Sequence, residues 1–306
     1  MNNFNIVKNR SEIIFLYDIE NGNPNGDALD NKPRIDELTN YNIVTDVRLK
    51  RTIRDYLQNF KNQEIFIRKE ESSNGKIKTR DEIFQNYETK DEVIKRCIDI
   101  RLFGGTFSIK DSNFALTGPV QFKFGKSLHR VDINYIKGTT VLPSGKEKTQ
   151  GTFWETYILP YSLICFYGII NENAAKETNL TEEDIDLLLE GIYYGTNNLI
   201  TRSKPYQQSR LLIQIVYKQN NFHIGDLDKK INIILKVEKD EYIRSYKDYE
   251  LDLTDLLITL ENHKEKIEKI RYLINENLQF KPSIEEFKNR LNDNIQFQDL
   301  KEIFSK

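Results

Sequence analysis

Apolar and polar residues alternate along this chain in blocks whose spacing predicts a mixed fold. Residues 11–20 are apolar on both faces of an extended backbone, which predicts a buried strand. Residues 21–42 are polar and turn-rich and read as a long loop. A helix is predicted from Thr45, with Thr45 as its cap and Val44 stapled onto Leu49. At about 100° per residue, Leu49, Ile53, Tyr56, Leu57 and Phe60 share one arc, and Arg48, Lys50, Arg51 and Arg54 spread over the rest. Residues 61–100 are charged and irregular, with a turn at Ser72–Gly75. Strand character returns over 114–124, where Val120, Phe122 and Phe124 alternate with Gln121 and Lys123. The polar stretch 126–152, with turn signals at Gly138 and Gly145, predicts a protruding hairpin or loop. Residues 156–170 form another apolar strand, with a bulge or bend expected at Pro160.

A second helix is predicted from Thr181, which forms a capping box with Asp184; Ile185, Leu188, Leu189 and Ile192 make its apolar stripe and Gly195 its stop. Residues 209–218 are a further strand. The order strand, helix, strand, strand, helix, strand is that of a ferredoxin-like βαββαβ core. The predicted division is therefore an α+β core over 1–225, with insertions at about 61–110 and 126–152, and a C-terminal segment 226–306 packed on it. That segment reads as a strand near 231–237 and helices around 252–277 and 283–291, the last with a Ser283/Glu286 capping box.

Charge narrows the function classes. The 306 residues carry a formal net charge of only −2, so a nucleic-acid face has to be local. Two cysteines, Cys97 and Cys165, stand far apart in apolar surroundings, which points to a reducing compartment without disulfides. No apolar run approaches a membrane span or a signal peptide, and a cytoplasmic protein is expected. The three histidines, His129, His223 and His263, have no metal-pair spacing, and neither a metal nor a cofactor is expected.

Several segments carry candidate chemistry. The loop Asn21–Asp27 repeats Asn-Gly around a proline; its glycines permit close backbone approach, and Asn21, Asn23 and Asn25 can donate to phosphates or base edges. Arg34 follows in the same loop, and the basic helix can contact phosphates through Arg48, Lys50, Arg51 and Arg54. The segment Arg101–Phe107 holds the pair Gly104 and Gly105. It lacks the ending of a phosphate-binding P-loop, so nucleoside triphosphate binding is excluded and by spacing alone it reads as a tight turn. Residues 191–225 contain no Asp or Glu in a chain with 47 of them. This window holds Arg202, Ser203, Lys204 and Arg210 and reads as an electropositive patch rich in donors. Lys123, Lys126 and His129 form a further basic cluster suited to phosphate contact. Asp27, Asp30 and Asp36 share one loop, without the spacing of an EF-hand.

Together these segments resemble the Cascade backbone subunit of type I CRISPR systems, closest to the type I-B form. The resemblance rests on Phe15–Asp27, Val44–Arg54, Arg101–Gly105, Leu116–Phe122, and Gly195 through Thr201–Lys204, in the family's order over roughly residues 10–220. It implies an RNA-recognition-motif type of fold enlarged by insertions, and copies stacked head to tail along a guide CRISPR RNA. It implies a non-catalytic role in which guide bases are presented to target DNA, with the large, end-capping and guide-processing subunits of the complex as further partners. It also implies that a protruding hairpin folds over the guide, for which 126–152 is the candidate. Stacking on the sheet face is not expected, because the aromatic signature of ordinary RNA-recognition motifs is absent. Related type III backbone subunits place a cleaving Asp in the loop after the first strand, so a metal-dependent ribonuclease using Asp27, Asp30 or Asp36 is the alternative. Binding of protein partners alone is a third reading.

Overall fold

In the computed structural model, the first apolar run becomes a twelve-residue strand, β1 (Ser11–Gly22), on which the rest is built. The structure describes residues 5–109, 112–139, 153–218, 221–291 and 295–305. A short strand β2 (Tyr41–Val44) leads into helix α1 (Asp46–Lys61). Three short helices follow, α2 (Arg80–Phe84), α3 (Lys90–Arg96) and α4 (Ile98–Phe103), then the hairpin β3 (Gly104–Ile109) and β4 (Ser112–Thr117). Strands β5 (Val120–Phe122), β6 (Gly125–Arg130) and β7 (Asn134–Thr139) precede the long β8 (Phe153–Ile170). Helices α5 (Glu172–Thr178) and α6 (Glu182–Asn198) lead to β9 (Gln207–Tyr217). The C-terminal part contributes β10 (Asn232–Leu235), β11 (Tyr249–Asp252), α7 (Thr254–Asn262), β12 (Ile267–Ile274), β13 (Phe280–Lys281), α8 (Ile284–Leu291), β14 (Gln296–Asp299) and α9 (Leu300–Phe304).

The main sheet runs β14-β12-β9-β1-β8-β6-β2, with β5 and β7 also paired to β8. β1 is antiparallel to both neighbours, with Phe15 opposite Phe166 of β8 and Leu212 of β9. Its period-2 pleat sends alternate side chains to opposite faces. Ile13, Phe15, Tyr17 and Ile19 join the cluster formed with α1 and α6. Ile14 and Leu16 join a second cluster with Leu251, Leu256, Leu257 and Leu260. The strand reads as apolar on both faces because helices cover one face and the C-terminal segment covers the other.

Several expectations change. Residues 61–103 are not irregular; α2, α3 and α4 close a small core of Phe66, Ile83, Phe84, Tyr87, Val93, Ile94 and Cys97. The predicted helix 252–277 is α7 followed by β12, whose Ile270 and Leu273 are buried in the sheet. Residues 126–130 lie in β6, within the sheet, so the protrusion is shorter than predicted. Its stem is the β7–β8 pairing from Asn134↔Ile158 to Thr139↔Phe153, and its remainder, 140–152, falls outside the described residues. Pro160 is buried in β8, and the register with β1 continues on both sides of it. Gly195 does not stop α6, which continues to Asn198; a Cβ there would stand 3.0 Å from the Tyr56 Cβ, so the glycine permits the α1–α6 crossing. Thr45 precedes α1 with an extended backbone but makes no side-chain cap.

Gly104 sits at the end of α4 with φ 68°, and a Cβ on it would lie 2.1 Å from the Leu116 carbonyl oxygen. Its freedom serves the close crossing of β3 and β4. Gly104→Ala is therefore expected to lower unfolding stability by more than about 1 kcal/mol, read as a fall in the denaturation midpoint. An unchanged midpoint would return this glycine to the ligand candidates.

Candidate nucleic-acid interface

β1 ends at Gly22, and the Asn-Gly loop turns away from there with Asn21 exposed at φ 48°. The loop is fastened rather than free. The Asn23 backbone N–H donates to the Ser203 carbonyl at 2.7 Å, which ties it to the α6–β9 loop. Asn23 Nδ2 donates to the Asn31 carbonyl at 2.6 Å. Asn25 Oδ1 accepts from both the backbone N–H and the hydroxyl of Thr45, each at 2.9 Å, and so fixes the loop to the start of α1. Three segments far apart in sequence thus meet: the Asn-Gly loop, the first turn of α1, and Thr201–Lys204.

Helical geometry then sorts the cations of α1. Residues two apart lie about 200° apart around a helix. Lys50 pairs with Asp46 at 3.0 Å, and Arg54 pairs with the buried Asp99 at 2.8 Å; both lie over the Phe103 ring. Arg51 pairs with Asp55 and donates to the Ile67 carbonyl at 3.1 Å. Arg48 points elsewhere. It donates to Thr52 Oγ1 at 3.1 Å, and together with Tyr17, Pro24, Thr52, Leu199 and Gln207 it lines a small cleft between β1, α1 and the end of α6.

Burial and the Arg48 charge lower the Lys204 pKa to about 8. Burial likewise pushes the Arg48 pKa down. Arg202 stacks over the Trp154 ring at 4.7 Å, and Lys32 over Tyr157 at 4.9 Å, so both loops touch the β7–β8 stem, Lys32 near its base and Arg202 toward its far described end. Among the described residues Arg34, Arg48, Arg202 and Lys204 form no salt bridge. Among the described residues Asn23 Oδ1, Arg34 Nε and Arg48 Nε are buried side-chain atoms without a hydrogen-bond partner.

Other predicted residues are committed inside the protein. Arg101 makes two 2.8 Å bonds to Asp184, the capping-box partner of Thr181, and donates to the carbonyls of Ile94 and Lys95. Gly105 pairs with Leu116 in the β3–β4 hairpin. Lys123 bridges Asp226 and Asp228, both at 3.1 Å. Lys126 is exposed, over the Tyr41 ring and 3.9 Å from Asp36. His129 is a core side chain, correcting the expectation of phosphate contact. Its Nδ1 meets the Arg130 carbonyl at 2.8 Å, its Nε2 accepts from Leu163 N–H, and burial lowers its pKa. Arg210 is also buried, 2.7 Å from Asp18, because β9 carries it into the sheet's back layer. The acid-free window therefore divides between Arg202–Lys204 at the interface and Arg210 in the core.

The three loop acids are occupied too. Asp27 Oδ1 accepts from the N–H groups of Leu29 and Asp30, Asp36 Oδ1 from those of Leu38 and Thr39, and Asp30 pairs with Lys32 at 3.3 Å. Those turn bonds hold the Asp27 and Asp36 pKa values down. Among the described residues, no group of three His, Cys, Asp or Glu side chains could hold a metal ion. Sequence reasoning missed Trp154 and Lys32. Trp154 is the only tryptophan and stands two residues before an apolar run, a signal available in the sequence. Nothing local marked Lys32.

A family model described as CRISPR-associated protein Cas7 matches residues 9–254. A relative from Haloferax volcanii, described as CRISPR-associated protein Cas7, is 32% identical over 303 residues, covering 89% of this chain and 88% of its own. A solved chain of a CRISPR RNA-guided surveillance complex in a pre-nicking state is similar in fold, with TM-score 0.57 and 11% identity over 97% of this chain and 99% of that one. A second, from a CRISPR RNA-guided surveillance complex, has TM-score 0.55 and 14% identity over 97% and 98%. At these identities the structural likeness concerns the fold.

Arg101 is placed to hold α4 against α6. Arg101→Ala strands a nearly buried carboxylate, and the expected cost is roughly 3 kcal/mol of stability, measured by denaturant unfolding. A loss below about 0.5 kcal/mol, the range of ordinary surface substitutions, would contradict that structural role.

Proposed function

We propose a function from one established premise: the chain belongs to the CRISPR-associated Cas7 family. It is the backbone subunit of a type I Cascade interference complex, closest to type I-B. Copies stack head to tail along a guide CRISPR RNA and support its pairing with target DNA, beside the large, end-capping and guide-processing subunits. The named surveillance complexes among the structural neighbours support this reading. The observation that carries it is the meeting of the Asn-Gly loop, the first turn of α1 and Thr201–Lys204, tied by backbone and amide bonds, where Arg48, Arg202 and Lys204 form no salt bridge among the described residues. Unpaired cations on loops tied together in this way suit the phosphates of a ribose-phosphate strand.

The proposed interface is narrower than the sequence implied: Arg34, Arg48, Arg202 and Lys204, with Asn21 exposed alongside and Ser203 holding the loop. The strand order β9-β1-β8-β6, with α1 and α6 on one face, supports the ferredoxin-like, RNA-recognition-motif type of core. We keep the division into a core over 1–225 and a covering segment over 226–306. The role is non-catalytic; the ribonuclease alternative rested on Asp27, Asp30 and Asp36, which turn bonds and Lys32 engage. Among the described residues no helix is long and apolar enough to cross a membrane, and the proposed setting is the cytoplasm. Base pairing delegates sequence reading to the guide, so the protein needs only backbone contacts.

Titration of labelled guide RNA tests the assignment. The double variant Arg48→Ala, Lys204→Ala is expected to bind at least about tenfold more weakly at 0.15 M salt, with the salt slope reduced by about 1.4 at roughly 0.7 per phosphate contact. Lys50→Ala, which removes a cation already paired, is expected to change affinity less than twofold. Parental affinity and slope in the double variant would overturn the assignment.

A further inference from the structure

Arg202 reaches from the α6–β9 loop to the indole of Trp154, with its guanidinium carbon 4.7 Å from the ring centroid. Trp154 stands on β8, opposite Gly138 of β7. The ring lies against that glycine: a Cβ at 138 would come within 2.6 Å of the ring carbons Cε2 and Cζ2 and 2.8 Å of Nε1. A side chain there would push the indole away, so the glycine makes room for the stack. Next to Arg202 in the chain, the Ser203 carbonyl accepts the Asn23 N–H at 2.7 Å. The turn that carries Arg202 is thus held on two sides, by the Asn-Gly loop and by the β7–β8 stem. Arg202 itself is exposed, and among the described residues its guanidinium makes no hydrogen bond and no salt bridge. Arg54 also lies over a ring, Phe103, yet Asp99 takes its Nε–H at 2.8 Å. The difference is chemical. A carboxylate uses guanidinium donors and cancels the charge. A ring face attracts the cation through its quadrupole and leaves the in-plane N–H groups open to an anion.

We propose that Trp154 is a positioning residue of the nucleic-acid interface: it holds the Arg202 guanidinium in place with its donors free for a guide-RNA phosphate. The inference rests on the RNA-binding reading and adds to it a neutral residue from outside the basic set. A long exposed side chain otherwise samples many rotamers, and a phosphate contact has to order it. The stack orders it before RNA arrives. It also fixes the plane of the guanidinium, which decides whether two N–H groups can meet two phosphate oxygens.

The experiment titrates labelled guide RNA with the purified full chain across a salt series, and separately reads the emission of Trp154, the only tryptophan. Without RNA, Arg202→Ala is expected to shift that emission to longer wavelength. Trp154→Ala is expected to bind guide RNA about fivefold more weakly. Although it removes no charge, it is expected to lower the salt slope by about 0.7, the share of one phosphate contact. Trp154→Phe keeps a ring and is expected to stay within about twofold of the parent. Gly138→Ala keeps both partners but puts a methyl group where the ring lies; it is expected to lose affinity as Trp154→Ala does, and it carries the test should Trp154→Ala not fold. In an Arg202→Ala background, Trp154→Ala is expected to cost less than about twofold more, because the two residues act as one unit. An equal loss in both backgrounds, or an unchanged salt slope, would overturn the proposal, since the tryptophan would then act through the fold alone. So would emission that Arg202→Ala leaves unmoved. Parental affinity in Arg202→Ala would remove Arg202 from the RNA and count against the RNA-binding assignment itself. A weakened Arg202→Ala beside a parental Trp154→Ala would sink only the positioning role.

Discussion

A strand buried on both faces needs two separate coverings, and the architecture follows from supplying them to β1. Odd-numbered Ile13, Phe15, Tyr17 and Ile19 are met by α1 and α6, and even-numbered Ile14 and Leu16 by the C-terminal layer. Polar residues of β1 are then forced into the interior and need partners there. Glu12 accepts from the hydroxyls of Tyr167 and Tyr217 and from the N–H groups of Ile224 and Gly225. Asp18 takes Arg210 and the Tyr161 hydroxyl. The demand for buried charge pairs removes Arg210 from the surface, so the fold itself decides which cations stay free.

The same accounting organises the interface. Several cations that the sequence offered as ligands face carboxylates: Lys50 with Asp46, Arg54 with Asp99, Arg101 with Asp184, Lys123 with Asp226. Such pairs hold the insertion and the C-terminal layer to the core. Among the described residues Arg34, Arg48, Arg202 and Lys204 form no such pair, and the bonds that tie their segments together come from amides, a hydroxyl and backbone groups, Asn23, Asn25, Thr45 and Ser203. A near-neutral chain therefore presents a concentrated positive junction without a basic overall charge. Many copies along one strand would multiply modest contacts at each junction.

Much of this was legible in residue order. The pattern of β1, α1, α6 and β9 is strong because burial imposes period 2 or 3.6 on long segments. The loop Asn21–Asp27 stood out in the sequence as a set of donors, and the structure adds internal bonds that the sequence did not announce: Asn25 positions α1 and Asn23 holds Asn31. What sequence could not give was partner identity. Arg48 and Arg54 are cations of one helix, and only the fold shows that Asp99, 45 residues from Arg54, occupies one and not the other. His129 looked basic by its neighbours Lys126 and Arg130, yet the alternation of β6 turns it inward. The strand β12 was hidden because its charged residues sit on an edge-proximal strand, where alternation is weak and a helical period fits as well.

The central claim is that guide-RNA phosphate occupies the junction of Arg48 and Lys204, and a cryo-EM map of the assembled complex tests it most directly. The account predicts a phosphate within hydrogen-bonding distance of Arg48 Nε and Lys204 Nζ in the copies along the guide, while Arg54 and Arg210 keep Asp99 and Asp18. A guide strand running instead over the Lys50 and Arg54 face, with Arg48 and Lys204 remote from it, would contradict the account.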